Sequence, residues 1–164
     1  MKWGSVRLFR VAAAALAAIL AACSPTQAPE NSPMHTDIEG LARLVALPPS
    51  AQSARWQVLQ FGEASELGPA DWGLAAAFQL PTEIRHDLVA QAAPLAIDRD
   101  FPKSFVLSWF PRDLGGLWIP SGAETLRLTA RPMDAVAFYK PPLQSGFFLP
   151  FGDEGAVFLY LYTR

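Results

Sequence analysis

The chain is poor in the residues that most often do chemistry. Its 164 residues include one cysteine, Cys23, and two histidines, His35 and His86. A single cysteine excludes an intrachain disulfide. So few thiols and imidazoles also leave little from which to build a zinc site, which needs three or four converging ligands. Basic residues are not in excess: 13 Lys and Arg stand against 15 Asp and Glu. Nucleic acid, bound through clustered Lys and Arg, is therefore not an expected partner. The apolar run over residues 11–22 is only twelve residues long. A membrane-spanning helix needs about 20, so this run is too short to remain as a span.

What the amino terminus has instead is a patterned leader. The first ten residues carry Lys2, Arg7 and Arg10 and no acid, and the apolar run follows directly. A basic head, a short apolar middle and small residues before a break is the layout of a secretory signal. After Cys23 the composition flips, with Pro25, Pro29 and Pro33 among small and polar residues. Such a stretch neither forms nor joins a core. Leu20-Ala21-Ala22-Cys23 resembles the lipobox of bacterial lipoproteins, an aliphatic and two small residues before the cysteine. The resemblance covers residues 1–24 alone. It implies cleavage before Cys23, a diacylglycerol on the cysteine sulfur, and an acyl group such as palmitate on the new amino terminus. Two or three chains anchor firmly where one is marginal. In such lipoproteins aspartate after the cysteine favours the inner membrane, so Ser24 implies the outer membrane, with the domain in the periplasm. Plain secretion with an incidental cysteine is the alternative.

Loss of residues 1–22 removes Lys2, Arg7 and Arg10, leaving 10 basic against 15 acidic residues, a formal charge of −5. That argues against electrostatic adhesion to anionic lipid as well. Residues 23–35 are expected to be a flexible, lipid-anchored leader, reaching ~40 Å from Ser24 if fully extended. Residues 36–164 are expected to be one domain, which at that length buries roughly two-thirds of its unfolded surface.

Within it, Thr36 and Glu39 have the spacing of a capping box. Ile38, Leu41, Ala42 and Val45 then make one helical face before Pro48-Pro49. Residues 55–61 read as a strand. Residues 72–80 fit helix or strand, with strand favoured because Leu74, Ala76 and Phe78 alternate. A second helix is predicted from Glu83 to about Ala93, with Ile84, Leu88, Gln91, Ala92 and Leu95 inward and Glu83, His86 and Asp87 outward. Leu126, Leu128 and Ala130 alternate on a further strand. Two apolar runs around residues 152–155 read as a β-hairpin. In its last strand Val157, Leu159 and Leu161 line one face and Phe158, Tyr160 and Tyr162 the other. That pattern suits an inner strand covered on both sides, the alternative being an aromatic face open to a partner. The expectation is an α+β domain: a mainly antiparallel sheet of four or five strands with two main helices packed on it.

No catalytic constellation emerges. Ser121 and Ser145 lack the Gly-x-Ser-x-Gly frame of a nucleophile elbow, and nothing brings His86 to either. Asp98 and Asp100 are a poor cage for calcium. Leu114-Gly115-Gly116-Leu117 lacks the lysine of a phosphate loop and reads as a turn. The aromatic middle, with Trp109, Phe110 and Trp118, is read first as core and second as the lining of a groove for a glycan, lipid tail or peptide. Pro141-Pro142-Leu143 is read as a rigid connector before it is read as a docking peptide. The chain is thus expected to be a non-catalytic, lipid-anchored envelope protein without cofactor or metal that binds a protein partner. The alternative is a lipid- or glycan-binding protein with an aromatic pocket, and a hydrolase using His86 ranks third.

Overall fold

The computed structural model describes residues 32–61, 71–152 and 154–163. In chain order these form α1 (Ile38–Leu44), β1 (Ser53–Phe61), β2 (Asp71–Gln79), α2 (Thr82–Gln91), β3 (Phe101–Pro102), α3 (Arg112–Gly115), β4 (Trp118–Pro120) and β5 (Thr125–Leu128). β6 (Met133–Asp134), β7 (Ser145–Pro150) and β8 (Ala156–Tyr162) follow, with 3₁₀ turns at Lys103–Phe105 and Val136–Phe138. Every strand pairing is antiparallel. One sheet has the order β1-β2-β8-β7-β6 and the other β3-β5-β4. The architecture is α+β, as expected, with five and three strands where one sheet of four or five was foreseen.

The five-stranded sheet is the middle of three layers. Leu74, Ala76 and Phe78 of β2 and Val157, Leu159 and Leu161 of β8 pack under α1, the 136–138 turn and the inner side of α2. Their neighbours in the chain, Ala75, Phe158 and Tyr160, face the other way, against Phe101, Phe105 and Trp118 of the smaller sheet and its connections. β8 lies between β2 and β7 and is buried from Ala156 to Leu161. A strand apolar on both faces needs two apolar layers, and here it has them. β2 is a strand over its whole length, since its alanines leave room on one face for the rings on β8.

Three local expectations fail for identifiable reasons. The capping box does not form: Asp37, without a side-chain cap bond, occupies the N-cap position. Residues 32–35, assigned to the leader, lie instead along β1. His35 N donates to Trp56 O at 2.8 Å, Trp56 N to His35 O at 2.9 Å, and Ser32 N to Val58 O at 3.1 Å. Trp56 Nε1 donates to Asp37 O at 2.9 Å. This extended segment holds Thr36 out of cap geometry and starts the helix one residue later. α1 also ends before Val45, because Ala46 N donates to Phe138 O at 3.0 Å and pulls the chain into extended form. Ala42 is consequently exposed while Leu41 and Val45 are buried.

The inner face of α2 matches the expected one only in part. Ile84 and Leu95 are 39% and 37% exposed, and Gln91 is exposed too. Leu88 and Ala92 pack inward as expected, joined by Val89. Arg85 Nη1 donates to Gly152 O at 3.1 Å, tying the helix to the β7–β8 turn.

Candidate functional site

The lipidation candidate, Cys23, and the signal features around it lie outside the described residues. Of the aromatic candidates, Trp118 is a core side chain, 6% exposed and in ring contact with Phe101 and Phe105 at 4.8 and 4.7 Å. Its Nε1 has no hydrogen-bond partner. Trp109 is half-buried; its Nε1 donates to Gln57 Oε1 at 2.8 Å, which fixes the ring across β1. Phe110 packs edge-on to Phe158 at 5.1 Å. The three residues form the seam between the two sheets. Leu143 is fully buried, and Lys140 and Leu143 exchange backbone hydrogen bonds of 3.2 and 2.9 Å, so the diproline turns the chain into β7.

The residues considered for chemistry are dispersed. His86 is exposed on α2. Ser121 Oγ donates to Thr125 Oγ1 at 3.2 Å, and the Ser145 hydroxyl is buried without a partner. His35 stacks on Trp56, and Asp100 accepts from Arg127 Nε at 3.1 Å. Among the described residues no three His, Cys, Asp or Glu side chains converge on a metal-sized site, and no helix is long and apolar enough to cross a membrane.

A cavity of about 890 Å³ lies at one end of the five-stranded sheet and includes none of the three aromatics. The first residues of β1, the last of β2 and Ala156 of β8 form its floor, with Ala54, Ala77 and Phe78 as the apolar patch. Thr36 and Ile38 close one side; Pro111, Asp113, Phe151 and Glu154 close the other. The cleft is half open to solvent, and Arg55, Asp113 and Glu154 are exposed on its rim. The wall at the β7–β8 turn is fixed from behind by Arg85 and by Leu80 N, which donates to Gly155 O at 3.0 Å. Chemically this is an apolar floor bordered by one cation and two anions, with Gln52 and Gln79 as neutral polar groups beside it.

Sequence reasoning missed this cleft because it is assembled from five separate segments, none of which carries a motif. The one local signal was Arg55 at the outward-facing position of a strand whose other face is apolar. A smaller cavity of about 250 Å³ lies at the opposite end of the sheet, between residues 95–99 and Gly146, Phe147 and Tyr162. No protein-family model, no characterised protein and no solved structure matches this chain.

Proposed function

We propose that this is a lipid-anchored protein of the bacterial cell envelope, attached to the outer membrane through acylated Cys23, whose periplasmic domain binds a protein partner in the cleft at the Arg55 end of the sheet. The basic, apolar and small-residue layout that ends in Leu20-Ala21-Ala22-Cys23 supports the anchor. The cleft itself is the observation that carries the binding role. Small-molecule sites enclose most of their ligand. This one is broad and half open, with an apolar centre and charges at the margin, the layout of a protein interface with a dry core and a polar rim. The charges of both signs on the rim suit selection of a partner by charge pattern.

A photo-crosslinking residue placed at Arg55 in cells, with one at His86 on the outer face of α2 as control, tests the reading. A discrete polypeptide adduct from position 55, absent from position 86 and lost on Glu154→Lys, is expected. Equal adducts at both positions, or a retained small molecule in the cleft in place of a polypeptide, would overturn it.

A further inference from the structure

The cavity of about 250 Å³ between residues 95–99 and the start of β7 carries Arg99 on its lining. The Arg99 guanidinium lies over the Phe101 ring at 5.4 Å and over the Tyr162 ring at 5.9 Å. Ring contacts of this kind hold a cation in place without using its hydrogen bonds. Among the described residues nothing accepts from its five N–H donors, and the adjacent carboxylate, Asp100, pairs with Arg127 at 3.1 Å instead. An arginine positioned in this way presents a ready fork for a carboxylate, which it binds through two parallel hydrogen bonds.

The rest of the lining decides what the carboxylate belongs to. Leu95, Ile97 and Phe147 give the cavity an apolar wall. Its volume is below the ~300–1,000 Å³ of sites for drug-sized ligands, so the occupant is smaller. Asp98 lies on the same lining and has no ion-pair partner among the described residues, so it disfavours a second negative charge on the ligand. The Ser145 hydroxyl is an independent sign of a bound group. Ser145 precedes Gly146 of the lining, stands opposite Tyr162 in the register and shares a sheet face with Phe147. It is 2% exposed, and its hydroxyl has no hydrogen-bond partner. Buried polar groups are nearly always paired, and this one is a donor in reserve beside the cavity.

We infer that this cavity binds a small molecule with one carboxylate and an apolar body, such as an aryl- or alkyl-carboxylic acid. The carboxylate sits on the Arg99 guanidinium, and the body lies against Leu95, Ile97 and Phe147. The site depends neither on the anchor nor on the cleft at the Arg55 end of the sheet.

Isotope-labelled full-length protein in mild detergent, titrated with hydrocinnamate and followed by NMR, tests the site. Saturable shifts are expected at the Arg99 Nε–H and at the Ala96 and Gly146 amides, with the Arg55 Nε–H unmoved. Arg99→Gln, at an exposed position, should weaken binding by about tenfold or more, the loss expected for a charge-assisted pair. Ala96→Trp, also at an exposed position, fills the cavity and should abolish the Gly146 shift while leaving Arg99 in place. Phenylpropylamine, with the same body and no carboxylate, should bind more weakly than hydrocinnamate, and so should phenyl phosphate, a dianion. Equal or tighter binding of either overturns the carboxylate assignment. Shifts that survive Arg99→Gln, or the absence of any saturable shift, overturn the site.

Discussion

His35 stacks on Trp56 with ring centroids 4.4 Å apart and planes 22° from parallel, above a pair of mutual backbone hydrogen bonds. Together these contacts fasten the segment before α1 to the first strand. Stacking of this kind contributes ~0.5–1.5 kcal/mol beyond area burial. His35→Ala should lower unfolding stability by about 1 kcal/mol in urea denaturation. In hydrogen exchange the His35 amide should lose protection before the β2–β8 core does.

Trp118 and Trp109 should behave differently on truncation. Trp118→Ala removes a large ring from between Phe101 and Phe105 and should cost ~3–5 kcal/mol, whereas Trp118→Phe also deletes the unpartnered indole N–H and should cost far less. Trp109→Ala, at a half-buried site, should fall below Trp118→Ala in the same measurement.

These two tryptophans also mark where sequence reasoning stopped. Alternation on β8 and the loop at residues 152–155 gave the central hairpin, because period-two patterning survives whatever packs on it. Burial of β8 on both faces was legible for the same reason. The exposure of Ile84, Gln91 and Leu95 was not, since what covers a helix face is decided by segments remote in the chain, such as the β7–β8 turn that Arg85 binds 67 positions away. The capping box failed because strand pairing by Ser32 and His35 outweighed a local cap. The cleft was invisible because its floor and rim meet only after β1, β2 and β8 align.

Burial pushes the Tyr160 hydroxyl up from 10.0 to about 12, with nearby Arg99 opposing and Tyr162 reinforcing the shift. The folded state thus holds this proton more tightly than the unfolded chain. The associated stability is fully present below about pH 10 and is lost as pH rises from about 10 towards 12. Wild type should lose more stability across that window than Tyr160→Phe, by an amount on the order of 2 kcal/mol, while the pair differ little at pH 7. Stability measured against pH for both proteins checks it.

Two glycines should respond oppositely to alanine. Gly146 on β7 has φ of 140°, and a methyl group there would run into the Tyr160 carbonyl of the adjacent strand. Gly146→Ala should destabilise by several kcal/mol, or prevent folding, because neither backbone can move without breaking the ladder. Gly115 in α3 has open space where its Cβ would lie. Gly115→Ala should be neutral or stabilise by up to ~1 kcal/mol in thermal unfolding.

Native mass spectrometry of the full-length protein, extracted from membranes in mild detergent, bears most directly on the proposed role. The expected spectrum shows a chain beginning at Cys23, heavier by its acyl groups, in complex with one polypeptide that Glu154→Lys releases. A chain with Cys23 unmodified, or one beginning at another residue, would contradict the anchor. An acylated chain that retains a small molecule in place of a polypeptide would contradict the binding role.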